Sequence, residues 1–251
     1  MSDKLKIDKN TSSEEANWKF DEKIVPIFDE HVRKSVPLYD NFHKVIADLS
    51  DWFVEENTNV YDIGTSTGEC IHNLINKHKN KKINYIGIDL SPDMVLKAKN
   101  RFKDYSNINI INGDITKEND ITINNASFIT SILTMQFIPQ RKRCDVIRKI
   151  YNGLNKGGAF IMVEKIIGNN ARFDKMFIEL YHDMKIHNGF NEQEVIAKSK
   201  AIRGVMSPNT VDENINILKE IGFKDVDMFF KWCNFVGFIA VSYTHLRAHE
   251  T

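Results

Sequence analysis

Apolar side chains fall at Ile24, Ile27, Phe28 and Val32, and again at Phe42, Val45, Ile46, Leu49 and Phe53. Steps of three and four put each set on one face of a helix. Pro37 separates the sets, so the pattern predicts two helices with a bend near SVPLY, residues 35–39. Then the period changes. NVYDIG (59–64) is a short apolar run, and a helical stretch at about 68–78 follows with Ile71, Leu74 and Ile75 on one face. INYIGID (83–89) repeats the strand signal, and SPDM opens the next helix with Ser91 as N-cap and Pro92 in the first turn. Further strands are predicted at INIING (108–113), ASFITSIL (126–133) and GAFIMVEK (158–165). RKRCDVIRKIYNGLN (141–155) is the helix between the last two, closed by Gly157-Gly158.

Strands alternating with helices across short connections predict a parallel, doubly wound sheet. Residues 169–203 break the alternation: they read as helix without a strand, a cap beside the sheet. VDENINILKEIGF (211–223) is a helix, and KDVDMFFKWCNFVGFIAVS (224–242) is two strands in a hairpin. The expected fold class is α/β, a Rossmann-like class I methyltransferase fold. Its sheet is mostly parallel and seven-stranded, with an antiparallel C-terminal hairpin and a helical cap. Residues 18–241 make one domain. Residues 1–17 are polar and read as a flexible N-terminus; SYTHLRAHET (242–251), two histidines in a polar string, reads as a non-native tail.

The first strand runs into VYDIGTSTGE, 60–69. A turn from strand to helix presents backbone N–H groups and a helix N-terminus to a ligand, and glycine lets that ligand approach. Dinucleotide folds use G-x-G-x-x-G for a pyrophosphate. Here Gly64 and Gly68 are separated by Thr65, Ser66 and Thr67, with Asp62 before them. The spacing suits a nucleoside without a phosphate, such as S-adenosylmethionine. Asp89 ends the second strand, where an acid can accept hydrogen bonds from both ribose hydroxyls. Gly113-Asp114-Ile115 ends the third, where the carboxylate can take an adenine amino group and Ile115 can pack on the ring.

Charge and cysteine content narrow the picture. Lys+Arg and Asp+Glu both number 34, a balance that argues against direct, sequence-independent nucleic-acid binding. Cys70, Cys144 and Cys233 are far apart and near no histidine cluster, so neither a metal site nor a disulfide framework is expected. No apolar run approaches the ~20 residues that span a bilayer. The expectation is a soluble, cytoplasmic protein with no membrane partner.

The chain resembles the carboxy-S-adenosylmethionine synthases, once described as tRNA wobble-uridine methyltransferases. The resemblance runs from Lys19 to Val241. It is carried by FDEKIVPIFDEHVRKSVPLYDN (20–41), VYDIGTSTGE (60–69), IGIDLSPDM (86–94), GDI (113–115), TMQFIP (134–139), IYNGLNKGGAFIMVEK (150–165), YHDMKIHNGFNEQE (181–194) and CNFVGFIA (233–240). It implies S-adenosylmethionine or its carboxylated form as ligand, prephenate as co-substrate, phenylpyruvate as by-product and a homodimer whose caps approach the neighbouring sites. It also implies that Tyr39, Gly64, Thr65, Ser66, Asp89, Leu90, Asp114 and Ile115 touch the nucleoside. At two positions the chain departs from the family: Ile132 stands where the family has Asn, and Ser199 where it has the Arg that grips the sulfonium's carboxylate. Lys198, Lys200 or Arg203 could supply that charge from a neighbouring turn; Lys34, also in place of an Arg, is a milder change.

Tyr181, His182 and Asp183 are either an acid–base group or structural cap residues. His72 and His78, beside Lys77 and Lys79, read as a solvated helix face, as does Arg141-Lys142-Arg143. Phe229, Phe230, Trp232 and Phe235 read as sheet core or a dimer surface.

Overall fold

The computed structural model describes residues 25–242. The polar N-terminus, Ile24 and nearly all of the proposed tail lie outside the described residues. Ser242 belongs to the fold: it is buried, its N–H donates to Gly158 O at 3.0 Å, and its hydroxyl to Asn155 O at 2.9 Å. The tail expected from residue 242 therefore starts no earlier than 243.

Helices α1 (Phe28–Ser35) and α2 (Tyr39–Leu49) come first, joined at Leu38, whose φ of 53° makes the expected bend. Then β1 (Asn59–Ile63), α3 (Glu69–Lys77), β2 (Asn84–Asp89), α4 (Pro92–Arg101), β3 (Ile108–Asn112), β4 (Ala126–Ile132), α5 (Gln140–Gly153) and β5 (Leu154–Lys165) alternate. The cap is two helices, α6 (Ala171–His187) and α7 (Glu192–Ala201), followed by α8 (Val211–Ile221) and the hairpin β6 (Asp225–Trp232) and β7 (Phe235–Val241). The seven strands lie in the order β3-β2-β1-β4-β5-β7-β6. Only β7 runs against its neighbours.

Alternation along each strand divides two cores. Val60, Phe128, Ile161 and Val163 face Val32, Phe42, Ile46, Leu74 and Ala98 from α1 to α4. Tyr61, Ile129, Phe160 and Met162 face Val146, Ile150 and Leu218 from α5 and α8. The sheet order reverses between β1 and β4, opening a crevice at the carboxyl ends of these strands, where α/β folds bind ligands.

Three expectations are corrected. Helix α5 ends at Gly153, not at 155, and β5 starts at Leu154. A Cβ at Gly153 would come within 2.3 Å of Ile123, so the helix end is pinned by packing. His78 is not on a solvated face: it is buried, with a ring nitrogen 2.7 Å from Ser50 Oγ. Arg143 is also buried. Its guanidinium donates to Ile138 O at 2.9 Å, Gln136 O at 3.2 Å, Asn209 Oδ1 at 3.0 Å and Ser207 Oγ at 2.8 Å. It joins α5 to the turns before α5 and α8, whereas Arg141 and Lys142 are exposed as expected.

Arg143→Ala leaves several buried acceptors without a donor. We expect a loss of about 3 kcal/mol, seen as a lower urea midpoint; an unchanged midpoint would mean that water replaces the guanidinium at little cost.

Candidate functional site at the strand ends

The loop after β1 is fastened before any ligand arrives. Gly64 and Thr65 donate their N–H groups to Ile88 O at 2.8 and 3.0 Å. Gly64 and Gly68 have φ of 74° and 84°, a region glycine enters without penalty. A Cβ at Gly64 would overlap the Thr134 side chain, and one at Gly68 would meet the Phe102 ring at 2.4 Å. Packing thus demands both glycines. Ser66, in place of the usual middle glycine, also has positive φ, 51°. Its N–H donates to Asp89 Oδ2 at 2.8 Å, and Ser91 N–H donates to Asp89 Oδ1 at 2.9 Å. Each carboxylate oxygen has a second lone pair, so Asp89 retains acceptor capacity for a diol. Burial pushes its pKa up, against these two donors and the Leu90 backbone.

Along the neighbouring strand ends, Leu90 is 69% exposed, an apolar side chain beside Asp89. Asp114 Oδ1 accepts from Thr116 N–H at 3.0 Å and from its hydroxyl at 2.7 Å, which fixes the carboxylate. Ile115 is buried, with its carbonyl accepting from Lys149 Nζ at 3.2 Å. Asp62 lies under the loop, 2% exposed, and accepts from Thr130 Oγ1 at 2.7 Å. Burial raises its carboxyl pKa to about 6.

A roof crosses the loop from α1 and α2. Thr67 Oγ1 donates to Asp29 Oδ1 at 2.5 Å, and Lys97 Nζ reaches Asp29 Oδ2 at 2.9 Å. Glu69 sits between Arg33 and Arg101, each at 3.0 Å. Tyr39 starts α2 with the Arg33 guanidinium 5.7 Å from its ring centroid and the Phe42 and His43 rings in T-shaped contact with its own. His43 is buried, and that burial drops its pKa to about 4. Motif reading found Glu69 but not its arginines, or the Asp29–Thr67 bond, because the partners come from separate elements. The only advance signal was acidic and basic residues on α1.

At the other end of the crevice, Ile132 is half-buried against the core and pairs with Val163. Lys165 Nζ and Lys185 Nζ lie 4.5 and 5.4 Å from the Tyr181 ring centroid. His182 is half-buried; burial, then Lys185 and Lys165, lower its pKa. Asp183 is exposed. Lys198 is half-buried within electrostatic reach of His31, while Ser199, Lys200 and Arg203 are exposed. The loop, Asp89, Asp114, Ile115 and Leu90 are thus gathered at consecutive strand ends; Tyr181, His182 and Lys198 belong to the cap, and Lys200 and Arg203 to its outside.

Known proteins share this fold. Residues 60–158 match the family model of a methyltransferase domain. Human N-acetylserotonin methyltransferase, solved in complex with S-adenosylmethionine, superposes with a TM-score of 0.59 at 15% identity, over 90% of this chain and 61% of that one. The carboxy-S-adenosyl-L-methionine synthase of Staphylococcus epidermidis is 49% identical over 89% of this chain and 96% of its own length. That of Methylococcus capsulatus is 34% identical over 88% and 92%. Fold and relatives together define a class I transferase that uses S-adenosylmethionine. Within that class, the chain belongs to the carboxy-S-adenosyl-L-methionine synthase family.

Two outcomes follow from this geometry. Asp89→Ala removes the anchor of Ser66 and a diol acceptor, so S-adenosylmethionine should bind at least ~10-fold more weakly by calorimetry; unchanged affinity would put the ribose elsewhere. For Asp62, a folded-state pKa raised from 3.8 to about 6 means that the native state binds the extra proton, so stability falls as pH rises through this window. Asp62→Asn abolishes that dependence, and its stability relative to wild type should improve by about 2–3 kcal/mol between pH 3.5 and 8. A pH-independent difference would show that Asp62 ionises normally.

Proposed function

We propose that the protein converts S-adenosylmethionine and prephenate to carboxy-S-adenosylmethionine, phenylpyruvate and water. The observation that supports this most is likeness to two synthases of that name over almost their whole length. The sulfonium nucleoside supplies a methyl group acidic enough to lose one proton. Prephenate gives up its ring carboxyl as carbon dioxide and its ring hydroxyl as hydroxide; the new C–C bond joins carbon dioxide to the methyl carbon, and proton and hydroxide make water. In this reading the Gly64–Gly68 loop holds the amino-acid end of the nucleoside and Asp89 its ribose. Asp114, Ile115 and Leu90 frame the adenine, and Tyr39 and Ile132 lie toward the sulfonium. The roof from α1 keeps water away from the reacting carbon. The product serves a partner enzyme that carboxymethylates the tRNA wobble uridine in the cytoplasm.

A second reading, methyl transfer to a small molecule or tRNA, is favoured by Ser199 and Ile132. Serine cannot copy the bidentate grip of Arg on a carboxylate. Ser199→Arg, alone and with Ile132→Asn, should raise preference for the carboxylated nucleoside over S-adenosylmethionine by ~10-fold or more. Equal binding of both by the double variant would mean that residue 199 does not face the sulfonium. Incubation with S-adenosylmethionine and prephenate should release phenylpyruvate and a nucleoside heavier by carbon dioxide; absence of both would overturn the synthase reading.

The working unit in this proposal is a homodimer. On α6, Phe173, Met176 and Leu180 are 44–48% exposed at helical spacing, an apolar face suited to a second copy. Met176→Glu with Leu180→Glu should give a monomer by sedimentation; a retained dimer would move the interface elsewhere.

A further inference from the structure

Three successive N–H groups beside the crevice point at one buried carboxylate. Glu164 lies in β5 on the face of Phe160 and Met162, and it is 3% exposed. Its Oε1 accepts from Thr134 N–H at 3.2 Å and from Met135 N–H at 2.9 Å, and its Oε2 accepts from Gln136 N–H at 2.8 Å. Met135–Phe137 form a single turn of 3-10 helix, and the side chain of its N-cap, Thr134, does not cap it. The first N–H groups of a helical turn have no partner within it. Glu164 supplies those partners from the next strand.

This turn is the β4 side of the crevice. It follows Leu133, whose φ of 55° is a strained conformation for an L-residue and whose N–H donates to Val163 O at 2.6 Å. Thr134 is half-buried, and its side chain rests on Gly64, where a Cβ would overlap it. Gln136 ties the turn to its surroundings. Its Oε1 accepts from Lys165 N–H at 2.8 Å, and its carbonyl accepts from Arg143 at 3.2 Å and from Ser207 N–H, in the segment leaving the cap, at 2.9 Å. The β1 side is anchored independently, because Gly64 and Thr65 are fastened to Ile88 and Ser66 to Asp89. The crevice therefore has two separately held halves.

Burial pushes the Glu164 pKa up to about 8, while the Gln136 and Met135 N–H groups, Arg143 and the Thr134 N–H pull it back down. The ionised carboxylate accepts at both oxygens, whereas a proton would place one more donor among donors, so the turn is held in full by the ionised form. We propose that Glu164 is a positioning residue: by fastening Thr134, Met135 and Gln136 it sets the β4 wall against which the second substrate lies at the sulfonium end, and it takes no part in holding the nucleoside. This rests on the reading above only for the identity of that second substrate. A displacement of about 1 Å at a reacting centre costs about 100-fold in rate, so a misplaced wall lowers kcat and spares nucleoside affinity.

The test compares wild type with Glu164→Gln at about pH 9, where the carboxyl is ionised. The amide keeps the shape and one accepting oxygen but turns an NH2 group toward a backbone N–H. With S-adenosylmethionine and prephenate, kcat for phenylpyruvate release should fall at least ~10-fold, while S-adenosylhomocysteine affinity by calorimetry stays within about 3-fold of wild type. Thr134→Ala, which leaves the buried acid in place, should move both quantities in the same sense, so a Gln variant that fails to fold does not end the test. Undiminished kcat in the variants that fold, or nucleoside affinity lost in step with kcat, would overturn the proposal. A wild type that releases no phenylpyruvate would sink the synthase reading instead. Glu164 is then judged by hydrogen exchange in the S-adenosylhomocysteine complex. The amides of residues 134–136 should exchange at least ~10-fold faster in the Gln variant, with those of 64–66 unchanged; equal exchange at 134–136 would overturn the proposal.

Discussion

The site depends on one carboxylate. Asp89 ends β2 and holds the N–H groups of Ser66 and Ser91, one on each oxygen. The first bond keeps a serine in the left-handed region, which costs an L-residue about 1–2 kcal/mol. The second starts α4, where Ser91 Oγ also caps Met94 N–H. A charge-assisted hydrogen bond to a half-buried acid is strong enough to offset that strain. From this point the loop, the start of α3 and the start of α4 are fixed relative to one another. The roof then follows, because Thr67 and Glu69 on the loop side give Asp29, Arg33 and Arg101 something rigid to grip.

This preorganisation bears on the family departures. Ile132, half-buried at the end of β4, and Ser199, exposed on α7, make none of the hydrogen bonds that fasten the loop and Asp89. Lys165 from β5 and Lys185 from α6 place their amines 4.5 and 5.4 Å from the Tyr181 ring centroid.

Much of this was legible in the sequence. Asp62, Asp89 and Asp114 were readable because apolar runs stop at or beside them, and the helix starts because Ser91 and Pro92 are local signals. What escaped was non-local. Arg143 looked like one member of a solvated charge run, but it is drawn inside by carbonyls and side chains up to 66 residues away. His78 was misread for the same reason, since Ser50 lies 28 residues back. Helix α5 ends early because Gly153 packs on Ile123, a contact no spacing rule reveals. Lys165 was visible only as the last letter of an apolar strand. Its place 4.5 Å from the Tyr181 ring centroid needed α6 beside the strand.

The central claim is that this crevice makes and holds a carboxylated sulfonium nucleoside. Mass spectrometry of the nucleoside released by denaturing freshly purified protein tests it most directly. The account predicts a species heavier than S-adenosylmethionine by one carbon dioxide, bound together with or in place of the unmodified nucleoside. S-adenosylhomocysteine or S-adenosylmethionine alone, even after the protein is supplied with prephenate, would contradict it.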